Sequence, residues 1–132
     1  MRKKTVCFTG HRDIAPMYCL TIKHKLKNTL IKLIHEGYSC FISGGALGFD
    51  TLAAQAVLEM RKKYKQIKLI LVLPCISQAD KWNEQDKRIY EHIKCSANKV
   101  IYTSENYFRG CMHKRNRYCR FVKDVLHIRE SK

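Results

Sequence analysis

The stretch "ISGGALGFDTLAAQ", residues 42–55, decides how this chain is read. It closes an apolar run at Ser43, places Gly44, Gly45 and Gly48 close together, and enters an alanine-rich segment with Asp50 two positions past the last glycine. Glycine adopts backbone conformations closed to other residues and lets a neighbouring backbone or a ligand approach closely. A strand turning sharply into a helix needs such residues. So does a loop that turns its backbone N–H groups toward an anion at the positive end of a helix. The spacing is neither the dinucleotide fingerprint G-x-G-x-x-G nor the Walker lysine motif. Taken alone, the stretch fits a tight turn and a phosphate cradle equally.

The residues on either side set its context. "KTVCFTG", ending at Gly10, has the β-branched and aromatic content of a buried strand. Ile22, Leu26, Leu30, Leu33 and Ile34 then fall on one face of a helix that Gly37 terminates. "YSCFIS" is a second strand, and Ala53, Ala56, Val57, Met60 and Tyr64 form the next helical stripe. "IKLILVL", ended by Pro74, is nearly continuously apolar, as expected of a parallel strand covered on both faces. Residues 83–97 read as a helix with Ile89, Tyr90, Ile93 and Ala97 on its inner side, and "KVIYT" supplies a fourth strand. Beyond Arg109 the pattern weakens, with "GCMHKRNRYCRFV" as a candidate helix and "VLHI" as a candidate fifth strand or a disordered end. Strands alternating with helices predict one α/β domain over residues 1–132: a Rossmann-like parallel sheet of four or five strands flanked by helices, in three layers.

In such a sheet the loops at the carboxyl ends of the strands emerge on one edge, where ligands of open α/β folds bind. "GHR" follows the first strand, "GGALGFD" the second and "SENYFRGCMHKRNR" the fourth. Gly10, His11 and Arg12 bring an imidazole and a guanidinium to that edge, the latter suited to bidentate phosphate recognition. His11 suits anion donation or acid–base work, or a purely structural place. Asp50 serves either as an N-terminal cap or as an acceptor for ribose hydroxyls. Arg115 and Asn116, beside Lys114 and Arg117, form a basic cluster whose self-repulsion falls when an anion binds. After the third strand, Pro74, Gln78 and Trp82 offer a further pocket wall and an aromatic for base stacking, although Trp82 equally suits a core anchor.

Composition narrows the class. At 132 residues with a formal net charge of +15, the chain suits a single domain with an anionic partner, a nucleotide or a nucleic acid. Residues 109–132 hold eight Lys or Arg against two acids, and residues 61–68 hold five against none. No apolar run approaches a membrane span and the start "MRKKTVCFTGHR" lacks a signal-peptide pattern, so a cytoplasmic location without membrane attachment is expected. Seven cysteines without a C-x-x-C pair fit free thiols, with Cys7, Cys40 and Cys75 packing as small hydrophobes. Cys111, His113 and Cys119 match no zinc spacing, and no metal is expected.

In this order "FTGHR", "SGGALGFDTLAA", "LVLPCISQADKW" and "NYFRGCMHKRNRY" resemble the YpsA-like family of the SLOG superfamily, over about residues 4–119. That superfamily also holds the DNA-processing DprA proteins and the lonely-guy phosphoribohydrolases. The resemblance implies a Rossmann-like domain whose glycine loops take a nucleotide, ADP-ribose or NAD-like ligand. By motif it assigns Gly10, His11, Arg12, Ser43, Gly44, Gly45, Gly48, Asp50, Arg115 and Asn116 to the site. "MHKRN" also resembles the phosphoribohydrolase M-H-x-R-K stretch, placing Arg115 at its catalytic arginine. The P-G-G-x-G-T motif of those enzymes, which leads to a glutamate, is not found here, and Asp50 would have to replace that carboxylate.

Three functions follow as expectations: a sensing or regulatory nucleotide-binding module, an N-glycosidic hydrolase of nucleoside monophosphates, and single-stranded nucleic-acid binding with Tyr107, Phe108 and Tyr118 stacking bases. Binding requires only features the sequence contains. Residues 119–132 depart from the family pattern as an atypical basic tail, which predicts a shortened domain without the last strand and helix of the family. The oligomeric state is left open, a homo-oligomer included.

Overall fold

The computed structural model describes residues 4–10, 13–73, 79–102 and 119–123. Its elements alternate as the apolar pattern requires: β1 (Lys4–Thr9), α1 (Pro16–His35), β2 (Tyr38–Ser43), α2 (Phe49–Lys63), β3 (Lys68–Leu73), α3 (Glu84–Ser96), β4 (Lys99–Tyr102) and β5 (Cys119–Lys123). The five strands form one parallel sheet in the order β4-β3-β2-β1-β5. Cys7 stands opposite Ile42 on one side and Phe121 on the other, and Ile42 opposite Ile70.

Local chemistry sets the helix ends. Pro16 opens α1, where its missing N–H costs nothing, and Gly37 follows the helix at φ 99°, a left-handed conformation suited to glycine. Asn83 caps α3 by accepting a hydrogen bond from the Asp86 N–H at 2.8 Å. At the opposite end of β3, Asn98 ties two elements together. Its side-chain oxygen accepts from the Leu69 N–H at 2.9 Å and from Arg61 at 2.6 Å, while its own N–H donates to the Leu69 carbonyl.

The three helices share one face of the sheet, with α2 packed between α1 and α3. Strand alternation sends Val6, Phe8, Phe41, Leu69, Leu71 and Leu73 into that core, where they meet Ile22, Leu26, Leu30 and Leu33 of α1 and Ala53, Val57 and Met60 of α2. Cys7, Ile42 and Val72 point to the other face and are buried beside Ile70 and Ile101. The expected stripe of α1 is buried in full, that of α3 at Tyr90 and Ile93. Cys7 packs as a small hydrophobe, whereas Cys40 is only partly buried, and Cys75 lies outside the described residues.

One expectation needs correction. The fifth strand is Cys119–Lys123, drawn from the end of the proposed helix "GCMHKRNRYCRFV" and from the segment read as an atypical tail. "VLHI" lies outside the described residues. An edge strand is held by backbone pairing, here from Thr5–Cys119 to Thr9–Lys123, and so does not require the apolar alternation that "CRFVK" lacks.

Leu71→Ala removes a fully buried side chain at the sheet centre and is expected to cost about 2–5 kcal/mol in urea unfolding. A smaller effect has a pH signature. The Lys94 ammonium is held above its ordinary pKa of 10.5, first by its hydrogen bond with Tyr102, against some desolvation, and then by Glu91. The linked stability is therefore complete below the ordinary value and is lost as pH rises through the raised one. Unfolding followed between neutral and strongly alkaline pH should show a loss in the native protein that Lys94→Met lacks.

Candidate functional site

Phe49 positions the glycine loop. Its ring is fully buried and meets Phe8 edge-on at 6.2 Å, while Phe8 stacks on Phe41 at 6.2 Å, so the first residue of α2 is fixed to β1 and β2 together. The chain must then pass from Ser43 to Phe49 in a few residues. Gly45 at φ 73° and Gly48 at φ 82° make that path possible. Gly48, with ψ −127°, is the N-cap of α2 and supplies no side-chain cap, so no side chain covers the first-turn N–H groups from the cap position.

The loop is braced from within. Ser43 is fully buried; its hydroxyl donates to the Asp50 carbonyl at 3.1 Å and accepts the Gly45 N–H at 3.2 Å. Thr51 donates to the Ala46 carbonyl at 2.8 Å, and the Leu52 N–H donates to the Gly48 carbonyl. Thr51 went unremarked in the sequence, where only its place three residues after Gly48 hinted at a loop contact. Asp50 is the second helical residue, not the cap. Its carboxylate lies against Gly44: a Cβ on Gly44 would stand 3.1 Å from Asp50 Oδ2 and 3.9 Å from the Val72 carbonyl. Glycine at 44 thus lets the carboxylate rest on the loop backbone, at the carboxyl ends of β2 and β3.

Strand order places a second feature beside it. From β1 to β4 each strand is added on one side, and β5 then returns to the other side of β1. The order reverses at β1, and ligand crevices of open α/β sheets lie at the carboxyl end of such a reversal. Gly10 follows β1 at that end and is exposed. Ser43, Gly44, Gly45, Gly48 and Asp50 therefore share an edge with Gly10. Trp82 is drawn instead toward α3, where it is partly buried and meets Tyr90 edge-on at 5.0 Å. His11, Arg12, Pro74, Gln78, Arg115 and Asn116 lie outside the described residues, as do Cys111 and His113.

A parallel α/β sheet with a braced, glycine-built turn at its reversal point defines a Rossmann-like domain. Comparison with known families makes this specific. The YspA SLOG family model matches residues 7–124, and the chain belongs to that family. The match extends through β5, so the first part of the segment expected as an atypical tail, up to residue 124, falls within the family pattern. Similar curated proteins include a UPF0398 protein of Brevibacillus brevis, 32% identical over 67% of this chain and 47% of its own length. One from Staphylococcus saprophyticus is 31% identical over 81% of this chain and 61% of its own. The UPF0398 protein YpsA of Bacillus subtilis is 32% identical over 58% of this chain and 42% of its own. The chain thus spans about half the length of the curated relatives it matches. Among the described residues no helix is long and apolar enough to cross a membrane.

Ser43→Ala tests the brace. It leaves the buried Gly45 N–H without its acceptor, and equilibrium unfolding should show a loss of about 1–3 kcal/mol.

Proposed function

We propose that this domain binds a nucleotide or nucleotide-derived ligand at the carboxyl edge of its sheet, in a sensing or regulatory role. The observation that carries this reading is the Gly44–Gly48 loop, partly buried and cross-braced yet built around two left-handed glycines at a helix start without a side-chain cap. A loop of that kind offers fixed N–H donors and the positive end of α2 to an anion, with little ordering cost on binding. Phosphate is the fitting anion, and Arg12 and Arg115 supply the countercharge in this reading.

Asp50 sets the second half of the ligand. A carboxylate resting on the loop repels a phosphate placed directly against it, and it accepts hydrogen bonds well. Vicinal hydroxyls of a ribose, one step from the phosphate, match it. Gly10, His11 and Asn116 complete the wall. Adenine nucleotides, ADP-ribose and NAD all combine these parts.

Thermal unfolding against ATP, ADP-ribose and NAD tests the reading. A ligand at 100 times its dissociation constant adds roughly 2.7 kcal/mol, readily seen as a rise in melting temperature. At least one of the three should raise it, and Gly45→Val should abolish the rise. Asp50→Asn, which keeps the shape of the side chain, should weaken these ligands while leaving inorganic pyrophosphate unaffected. No response to any of the three, or a response unchanged in Gly45→Val, overturns the proposal.

A further inference from the structure

The helical layer carries a second concave surface, which begins one turn into α2 from the glycine loop. A groove of about 530 Å³ runs along α2 between its neighbours, with Leu20, Lys23 and Lys27 of α1 on one bank and Leu52, Ala56 and Lys62 of α2 along the other. Leu20 is 73% exposed, and Met17, one turn before it, is 77% exposed. Large aliphatic side chains in such positions gain nothing from the fold itself. Two of them one turn apart beside a groove mark a surface suited to covering.

The charge of the groove limits what covers it. Among the described residues, Lys23, Lys27 and Lys62 line it with the imidazoles of His24 and His92, against the single carboxylate of Glu59. The whole of α1, from Pro16 to His35, contains no acid. A second copy of the chain would bring its own +15 against this one. A bilayer is flat and does not enter a trough between two helices. A nucleic acid would satisfy the lysines, but single strands bind by stacking on aromatic side chains, and among the described residues the groove lining contains no Phe, Tyr or Trp.

We infer that the α1–α2 groove docks an acidic amphipathic helix of a partner protein, its apolar stripe on Met17, Leu20, Leu52 and Ala56 and its carboxylates against Lys23, Lys27 and Lys62. Helix-in-groove recognition takes this form, with aliphatic anchors in the trough and charges along the banks. The anchors provide affinity as they lose water, and the lysines speed encounter and select an acidic partner.

The test uses the full chain and a fluorescein-labelled synthetic peptide of about 20 residues, long enough to form a helix. Leucines lie at i, i+3, i+4 and i+7 and glutamates on the flanks; a control of equal charge has every leucine replaced by serine. Anisotropy should show the leucine peptide binding about tenfold or more tightly than the serine control. Lys23→Glu with Lys27→Glu, and separately Met17→Ser with Leu20→Ser, should each weaken it by about tenfold. All four positions are exposed, so these variants should keep the native melting temperature and nucleotide response, which separates this outcome from that of the strand-end site. Equal binding of the two peptides would reduce the effect to net charge and overturn the inference. So would undiminished binding by either variant, displacement of the peptide by single-stranded DNA or phosphatidylserine vesicles with the same residue dependence, or a dimer that Met17→Ser with Leu20→Ser dissociates.

Discussion

The contact of Phe49 with Phe8, and of Phe8 with Phe41, is the constraint from which the rest of the strand-end geometry follows. Burying a ring in the first helical position fixes where α2 begins and how far it stands above the sheet. Ser43, at the end of β2, is fixed just as firmly by parallel pairing with β3. Little chain remains to join the two points. Left-handed glycines are what let it close, and the backbone they leave bare is the chemically distinctive part of the molecule. A requirement of packing thus produces a surface fit for an anion.

Much of this was legible in the sequence because periodicity reports burial directly. The stripe from Ile22 to Ile34 and the run "KLILVL" have one arrangement that removes them from water, and the structure adopts it. Residues whose role depends on a partner distant in the fold were not legible. The double hydrogen bond of Ser43 and the hold of Asn98 on Leu69 and Arg61 arise only when separate elements meet. The choice between the two readings of Asp50 was open for a related reason. Asp50 has the chemistry of a cap, but the buried Phe49 is the first helical residue, and the cap position falls to Gly48, two residues before Asp50. β5 was not legible because "CRFVK" has no period-two pattern and its two cations fit an exposed helix as well as an edge strand.

Charge is distributed on the molecule with a purpose that the total conceals. The stretch from Arg61 to Lys68 leaves the end of α2 and enters β3, where Arg61 is engaged by Asn98 and Lys63 lies over the Tyr64 ring. Lys94 is held between Tyr90 and Tyr102. These cations serve packing through their stems and ring contacts. Those along the α1–α2 groove, Lys23 and Lys27 among them, are exposed and not engaged in such ring contacts.

The pairing of β5 with β1 joins segments more than a hundred residues apart, with Thr5 opposite Cys119. Until β5 docks, β1 presents an open row of N–H and C=O groups along the edge at which the strand order reverses. The nascent chain can assemble β1 to β4 and all three helices in sequence, each on the previous one, and still carry this unfinished side. The last backbone ladder to form is then the one that completes the crevice beside Gly10. Completion of the sheet beside Gly10 thus depends on one long-range pairing, a separate requirement from the formation of the core.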